Sequence, residues 1–354
     1  MKVLILSRYG RKGASSRLRT MQYMPFLEAN GAEVRVEYLF DDHYLEAIYA
    51  GRRDIGNVLP AYRRRIRSLM KAKDADVIWL EKEGLPWVPA AIEHWLLPRD
   101  VPLVVDYDDA VFHRYDRHSS SVIRALLGDK IAHVMARADV VIAGNHYLSD
   151  YALRAGARRV EIVPTVVDAD AYAPRASEGS DETVTVGWIG TPTTWRDCFQ
   201  PFLPDIRGAL AGLDAGLMAV GAGNAADEDA SVITRQWSED REVADIQEMD
   251  IGIMPLPDTP WMRGKCGYKL IQYMACGLPV VASPVGVNRD IVDHGVNGFL
   301  AETPAEWTEA LRALVTDAAL RQRMGAKARA LVDNQYSLRV QGPHIAKLLR
   351  SVCA

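Results

Sequence analysis

Two lysines and one glutamine surround the start of a short predicted helix in the stretch GKCGYKLIQYMACGLPVVAS, residues 264–283. Lys265 precedes the helix, which we expect to begin near Gly267, and Lys269 and Gln272 lie three residues apart on one of its faces. A different face, which we expect to be buried, consists of Leu270, Ile271 and Met274. A helix N-terminus carries partial positive charge and unpaired N–H groups, so two ammonium groups beside it predict a diphosphate-binding site.

A second group of ionisable side chains follows an apolar run in VVDYDDAVFH, residues 104–113. Asp106 and Asp108 form a D-x-D pattern, and Asp109 comes directly after it. A strand that ends here places these carboxylates at the carboxyl edge of a sheet, where ligands of such folds bind. There a carboxylate can stabilise positive charge, accept a proton, bind a metal ion or cap the next helix. His113 is either a polar partner of these acids or a packed side chain.

The first glycine-containing loop, SRYGRKGASSRLR, follows the first predicted strand. Gly10 and Gly13 permit a tight backbone, and Ser15 and Ser16 can cap the helix that follows. The loop N–H groups either receive an anion or only begin the helix. A G-x-G-x-x-G fingerprint is absent from this loop, which disfavours a simple nicotinamide dehydrogenase.

The composition is typical of a globular protein with sizeable cores: of 354 residues, 49% are hydrophobic and 25% are charged. A formal charge of −4 gives no reason to expect nucleic-acid binding. The initial apolar run is too short for a signal peptide or a membrane span, so we expect a cytoplasmic protein. Thiols of a reducing compartment, without metal-ligand spacing, are the expected state of Cys198, Cys266, Cys276 and Cys353.

Short apolar runs alternate with helical patterns along the whole chain, which predicts parallel sheets built from β-α-β units. The runs begin near residues 2, 33, 76, 102, 138, 160, 184, 217, 232, 250, 278 and 297. A stretch from residue 166, rich in Pro, Gly, Ser and acids, is interpreted as a linker. We therefore predict two doubly wound Rossmann-like α/β domains that face each other across a ligand-binding cleft, at residues 1–167 and 168–336, with a C-terminal helix at 337–354 that packs back on the first domain.

Four motifs in the same order resemble one known family. They are ADVVIAGNHYLSDYALRAGARRVEIVPTVVDADAYAP, VGWIG, KLIQYMACGLPVVAS and GVNRDIVDHGVNGFL, and they occur in both predicted domains. With these motifs the chain resembles the glycosyltransferase family 4 group, retaining sugar-nucleotide transferases of the GT-B fold. The resemblance implies a metal-independent, hexosyltransferase-like enzyme without a cofactor. Its expected substrates are a UDP or GDP sugar and a glycan or lipid-linked acceptor, in the synthesis of cell-surface polysaccharide or glycoconjugate.

The family typically carries two glutamates eight positions apart around the helix described first. The second commonly binds the ribose of the nucleotide and the first binds the donor sugar, and here these positions hold Gln272 and Gly264. The amide of Gln272 can still form hydrogen bonds with ribose hydroxyls. The hydroxyls of the donor sugar would have to bond to Asp258 or Lys265 instead. Lys269 matches the lysine that many relatives place three residues before the second acid.

The resemblance also implies roles for residues in other loops. In relatives, the loop after the D-x-D strand often supplies a histidine or aspartate near the transferred sugar, which points to Asp108, Asp109 or His113; on this fold the D-x-D letters do not imply a metal. Donor-binding residues are expected in the first loop, in GTPTTWRD and in QWSEDREV, where Trp237 either packs near the base or is an ordinary core side chain. The remaining predicted donor contacts are Gly13, Gly190, Arg196 and Gly267.

The acceptor side offers one basic segment, YRRRIRSLMKAK at residues 62–73, predicted as a single helix. It either contacts an anionic membrane, which would give access to a lipid-linked acceptor, or packs an apolar stripe on the sheet beneath a solvated face. Two rival classes of function also stay open. One is a sugar-nucleotide epimerase on the same fold, and the other is a non-catalytic nucleotide-sugar-binding protein.

Overall fold

The computed structural model describes residues 1–49, 51–52, 54–174, 183–223 and 231–353. The chain divides into two units. The first consists of Met1–Thr165, Gly264–Cys266 and Gln341–Ala354, and the second of Val166–Arg263 and Gly267–Val340. The sequence placed the division at 167/168 and gave no indication that residues 264–266 group with the first unit.

One parallel sheet forms the centre of the first unit. Its strands are β1 (Lys2–Tyr9), β2 (Glu33–Phe40), β3 (Val77–Glu81), β4 (Leu103–Tyr107), β5 (Val140–Ala143) and β6 (Val160–Ile162). They are ordered β2-β1-β3-β4-β5-β6. Strands β3, β4 and β5 are buried along their whole length. Their sequences are therefore continuous apolar runs, as is usual for inner strands of parallel sheets.

The second unit repeats this architecture. Its strands are β7 (Val184–Ile189), β8 (Ala215–Val220), β9 (Val232–Arg235), β10 (Ile251–Met254), β11 (Val280–Ala282) and β12 (Gly298–Leu300). They are ordered β12-β11-β10-β7-β8-β9, and all pairs are parallel. Each predicted apolar run overlaps one of the strands β1 to β12, so the predicted fold class of two Rossmann-like α/β sheets is confirmed.

Helices connect the strands in both units. Before β7 the described α-helices are Ala14–Arg19, Met24–Ala29, Asp42–Tyr49, Val58–Met70, Ala90–Leu96, His113–Asp116, Ser121–Leu127, Lys130–Arg137 and His146–Arg154. After β7 they are Pro192–Thr194, Leu203–Leu210, Glu242–Gln247, Pro260–Arg263, Tyr268–Ala275, Asn288–Ile291, Pro304–Thr316, Ala318–Gln335 and Leu338–Cys353. Within the described ranges, every helix is too short or too polar to span a bilayer.

The last helix passes into the first unit at Gln341. There Arg350 donates to the carbonyl oxygen of Asn30, and Arg159 Nη1 donates to Ser351 Oγ at 3.0 Å. These bonds attach the last helix to the residue after the helix Met24–Ala29 and to the residue before β6.

One local prediction was wrong, and another was wrong in its first part. The segment interpreted as a linker is packed in its first part, where Val167, Ala169 and Tyr172 belong to the core of the second unit; the rest of it, residues 175–182, lies outside the described residues. The basic segment at 62–73 is not one helix, because the helix Val58–Met70 ends before the two lysines. Arg65 in that helix is buried and donates to the carbonyl oxygen of Ser7, so it adds no surface charge.

Candidate functional site

Predicted site residues of the first unit lie where β3 and β4 end. Glu81 pairs with Asp106 in the parallel register, so the residues that follow these strands emerge at the same edge. Lys82 directly follows β3, and its Nζ lies 2.8 Å from Oδ1 of Asp108, just beyond β4. Lys82 has φ 63, a left-handed backbone that non-glycine residues rarely adopt. The tight turn at Lys82 brings its ammonium group back onto residues 108–110, which follow β4 and are called the acidic loop below.

The same ammonium group contacts two more side chains of this edge. Nζ donates to Ser15 Oγ at 3.1 Å and lies 3.9 Å from Oδ2 of Asp109. Burial alone would raise the pKa of Asp108, but Lys82, assisted by Arg19, lowers that pKa to about 2. Burial likewise opposes the charge of Lys82, but Asp108 and Asp109 raise the pKa of this lysine above its usual value. Both partners are therefore charged at neutral pH.

Residues 264–266 pack against this acidic loop within the first unit. Lys265 Nζ lies 2.9 Å from Oδ1 of Asp109, and its carbonyl oxygen accepts from Asn145 Nδ2 at 2.8 Å. The thiol of Cys266 donates to the carbonyl oxygen of Asp108 at 3.0 Å. The structure thus brings the predicted residues Asp108, Asp109 and Lys265 together in one charge-compensated cluster.

Gly264, where the family resemblance predicts a glutamate in relatives, has no room for a side chain. A Cβ atom there would lie 2.5 Å from Cβ and 2.8 Å from N of Ala110, which belongs to the same acidic loop. The neighbouring backbone atom cannot move as a flexible side chain can. A side chain at position 264 would therefore have to displace the acidic loop.

Two other predicted residues of the first unit have structural partners. His113 contacts Asp116 through Nδ1 at 3.0 Å and the Tyr147 hydroxyl through Nε2 at 2.7 Å, so both ring nitrogens are engaged. Gly13 precedes the helix Ala14–Arg19 and packs against Tyr9, where a Cβ would lie 2.5 Å from Tyr9 Cβ. Their predicted roles in catalysis and donor binding stay predictions.

In the second unit, the helix Tyr268–Ala275 begins at Gly267. Gly267 has φ 64, a backbone angle that favours glycine, and a Cβ there would lie 2.4 Å from Cδ1 of Ile291, so a side chain would also have to displace Ile291. In the first turn, Lys269 Nζ lies 5.2 Å from the ring centroid of Trp188, a cation–π distance. Gly190 packs against the same indole ring. Trp188 thus brings together the predicted residues Lys269 and Gly190.

Gln272 differs from its prediction. Its side chain is 3% exposed, and the helix is buried from Leu270 to Ala275, so Gln272 does not lie on a face apart from the buried one. Its Nε2 donates to the Tyr172 hydroxyl at 3.0 Å, and that hydroxyl donates to Glu242. Nε1 of Trp237 donates to the other carboxylate oxygen of Glu242 at 2.6 Å. The predicted residues Trp237 and Gln272 are therefore connected through two residues that the sequence did not indicate.

The last two predicted donor contacts lie in exposed ion pairs. Arg196 Nε lies 2.9 Å from Oδ1 of Asp197, and Arg263 Nε lies 2.6 Å from Oδ1 of Asp258. Hydrogen bonding to Asp197 raises the pKa of Arg196, and Arg263 lowers that of Asp258. Their donor-binding roles stay predictions.

Sequence reasoning missed Lys82, Tyr172 and Glu242. A signal for Lys82 was present, because the charged letters EKE directly follow the apolar run DVIWL, at the same predicted sheet edge as the D-x-D acids. Tyr172 was hidden in the segment interpreted as a linker. Glu242 follows the polar letters SEDR, which gave no sign of burial.

Comparisons with known proteins agree with this architecture. Residues 22–171 match the family model described as Glycosyltransferase Family 4, and residues 183–317 match that described as Glycosyl transferases group 1. D-inositol 3-phosphate glycosyltransferase of Xylanimonas cellulosilytica is 42% identical over 66 residues, which are 18% of this chain and 16% of that relative. That alignment therefore spans less than a fifth of either chain.

Solved structures resemble the chain over nearly its whole length. Sucrose-phosphate synthase of Thermosynechococcus elongatus has a TM-score of 0.74 at 14% identity, with 99% of both chains covered. Anabaena HepE in complex with UDP-glucose has a TM-score of 0.72 at 20% identity, with 99% of this chain and 100% of that chain covered. At such identities the likeness shows the fold, and the two family models cover most of both units. The chain belongs to the group 1 and family 4 glycosyltransferases, with the GT-B fold.

Proposed function

We propose that the chain is a retaining glycosyltransferase that transfers a sugar from a UDP or GDP sugar to a glycan or lipid-linked acceptor. The observation that carries the proposal is Lys269, held over Trp188 in the first turn of the helix that begins at Gly267. The HepE structures, which contain UDP or UDP-glucose, support a nucleotide-sugar donor. The family resemblance supports the proposed cellular role, the synthesis of cell-surface polysaccharide or glycoconjugate at the cytoplasmic face of the membrane.

The helix start suits a leaving nucleoside diphosphate. As the glycosidic bond breaks, negative charge grows on the diphosphate, and preorganised donors and cations stabilise that charge most effectively. The N–H groups of the first turn and the ammonium group of Lys269 are such donors. The ring of Trp188 limits the motion of Lys269, which reduces the entropy lost when the phosphate binds.

We also propose that transfer needs no metal ion. The three acids of the D-x-D loop are held by cations of the chain itself: Arg19 holds Asp106, at 2.8 and 3.2 Å, while Lys82 and Lys265 hold Asp108 and Asp109.

The test of both proposals is a thermal-shift panel of UDP, GDP and dTDP sugars, followed by turnover of the best donor with and without EDTA. Loss of turnover in EDTA that Mg²⁺ restores contradicts metal independence. Isomerised donor without acceptor favours an epimerase.

A non-catalytic nucleotide-sugar-binding protein is the second candidate. It is favoured by Gly264, whose contact with Ala110 leaves no space for the carboxylate that relatives use on the donor sugar. Donor binding without turnover over a broad acceptor panel would support this candidate, whereas turnover with any acceptor would exclude it.

Lys269→Ala is expected to weaken UDP binding by roughly ten-fold or more, because a charge-assisted hydrogen bond contributes about 1.5 to 3 kcal/mol. Calorimetry with UDP measures the effect. Lys327→Ala is the matched control, since Lys327 is an exposed lysine of the same unit on the helix Ala318–Gln335. Equal affinities of the two variants would remove Lys269 from the diphosphate site.

The basic helix of the first unit supports a proposed contact with an anionic membrane. Its inner side packs on β2, with Ala61 and Leu69 buried. Its outer side presents Leu59 and Met70, 59% and 62% exposed, with Arg63 and Arg67 between them at helical spacing. On the neighbouring helix Ala90–Leu96, Trp95 is 82% exposed. Apolar and basic side chains on one surface suit the headgroup region of an anionic bilayer.

Reversing two charges of this surface, Arg63→Glu with Arg67→Glu, is expected to weaken binding to phosphatidylglycerol vesicles by at least about 30-fold. Each basic residue near such a surface contributes about 1 kcal/mol, so two contribute about 2 kcal/mol. Co-sedimentation at low salt measures the effect. The control is Arg312→Glu with Arg323→Glu, two exposed arginines of the second unit. Equal vesicle binding by wild type and both double variants would contradict the proposed contact.

A further inference from the structure

A chain of hydrogen bonds within the second unit ends at the amide of Gln272. The Tyr172 hydroxyl accepts from Gln272 Nε2 at 3.0 Å and donates to Oε1 of Glu242. The other oxygen, Oε2 of Glu242, accepts from Trp237 Nε1 at 2.6 Å. Tyr172, Glu242 and Gln272 are buried, whereas Trp237 is partly exposed. One carboxylate therefore connects the two side chains that we assign to the nucleoside.

The direction of each bond follows from the chemistry of the groups. A carboxylate only accepts, and an indole N–H only donates. Burial, together with negative neighbours that include Glu242, raises the pKa of Tyr172 well above its usual value, so the hydroxyl keeps its proton. That proton goes to Glu242, which leaves the Tyr172 oxygen as an acceptor. The NH₂ group of Gln272 must then face Tyr172, and its carbonyl oxygen points away from that hydroxyl.

We infer that Glu242 positions the nucleoside-binding side chains of this protein, holding the indole of Trp237 directly and the amide of Gln272 through Tyr172. The inference rests on the proposed function, in which Trp237 lies near the base and Gln272 bonds to the ribose. In this arrangement the Gln272 carbonyl oxygen is the acceptor for a ribose hydroxyl. In this cluster Glu242 supplies the carboxylate that accepts the Tyr172 proton. Residue 272 must therefore supply a donor to the Tyr172 oxygen, which an amide does.

A glutamate at 272 conflicts with this arrangement. Tyr172 has one hydroxyl proton, and two carboxylates would compete for it. If the proton stays on Glu242, the carboxylate at 272 receives no hydrogen bond from Tyr172, and if it goes to 272, Glu242 keeps only the N–H of Trp237. In both cases two like charges are buried beside one hydroxyl, which is costly. Gln272→Glu alone is therefore unfavourable here, even though relatives typically carry the acid at that position.

The two side-chain types can exchange places without losing a bond. With glutamine at 242 and glutamate at 272, the amide at 242 donates to the Tyr172 oxygen and accepts from Trp237 Nε1. The Tyr172 hydroxyl then donates to the carboxylate at 272. Every donor keeps an acceptor, so the exchange predicts rescue in the double variant.

The experiment is a double-mutant cycle of Glu242→Gln and Gln272→Glu with UDP as the probe. Calorimetry gives UDP affinity, and thermal unfolding of the ligand-free proteins reports on the hydrogen-bond chain independently of any ligand. We expect Gln272→Glu to weaken UDP about ten-fold and Glu242→Gln about three- to ten-fold, and the double variant to bind within about three-fold of wild type. The ligand-free melting temperatures should follow the same order.

Glu309→Gln is the matched control, since Glu309 is an exposed glutamate of the same unit. It should leave UDP affinity unchanged. A double variant no better than Gln272→Glu overturns the inference, as does a cycle in which melting temperatures couple but UDP affinity does not change. Failure of the wild type to bind UDP, GDP or dTDP overturns the proposed function itself, and the inference with it.

Discussion

Lys82→Met is expected to lower the free energy of unfolding by about 3 to 5 kcal/mol at pH 7, the usual cost of removing one partner from a buried ion pair. Lys82 Nζ lies 2.8 Å from Asp108 and also contacts Ser15 and Asp109. The methionine keeps most of the apolar volume of the lysine stem but leaves Asp108 buried without its nearest cation. Chemical denaturation followed by circular dichroism measures the change.

The loss of stability should depend on pH with a definite sign. In the wild type the pKa of Asp108 is about 2, below the unfolded value of about 3.9. Its ionised form therefore stabilises the fold above about pH 4, and this contribution disappears as pH falls towards 2. In Lys82→Met the pKa of Asp108 should rise, since burial is then opposed by fewer cations. Protonation at pH 4 removes the unpaired charge, so the variant should differ less from wild type at pH 4 than at pH 7.

Lys12→Met is the matched control for this prediction. Lys12 pairs with Glu46 in the same unit, but both side chains are more than half exposed, so water replaces the lost partner. Its effect should be much smaller and nearly independent of pH. If Lys82→Met destabilised no more than Lys12→Met, the pair of Lys82 and Asp108 would not be an important electrostatic contact of the first unit.

The strand positions could be predicted from the sequence because buried parallel strands are continuous apolar runs that polar residues flank on both sides. The run DVIWL became β3, and ADVVIA became β5. The grouping of residues 264–266 with the first unit could not be predicted in this way. It depends on contacts such as that of Lys265 with Asp109, 156 positions away in the chain. No local periodicity encodes such a contact.

Residues of the candidate site could be predicted only where ionisable side chains directly follow a predicted strand. Asp108 and Asp109 were found because acids directly follow an apolar run, and the same reasoning applied to EKE would have found Lys82. Tyr172 and Glu242 could not be found so. Their importance comes from pairing with each other inside the core, and both occur among polar or breaker residues that usually form loops.

Gly264→Glu, the change that returns the family's usual acid, is expected to destabilise the protein and to abolish transfer rather than improve it. A Cβ at this position lies 2.5 Å from Cβ and 2.8 Å from N of Ala110. Overpacking of this kind typically costs about 1 to 3 kcal/mol. Because Ala110 directly follows Asp108 and Asp109, relief of the clash must displace the acidic loop and its bonds to Lys82 and Lys265.

The clash begins at Cβ, so Gly264→Ala should already lower the melting temperature, and Gly264→Glu should add little beyond it. Gly56→Ala and Gly56→Glu are the matched controls in the same unit. A Cβ at Gly56 meets no atom within 4 Å, and its backbone is not left-handed, so these changes should leave the melting temperature nearly unchanged. Donor turnover measured on the same four variants shows whether a loss of activity accompanies the loss of melting temperature or occurs without it. If Gly264→Glu increased turnover while keeping the wild-type melting temperature, the side chain would fit, and the steric reason for glycine at 264 would be refuted.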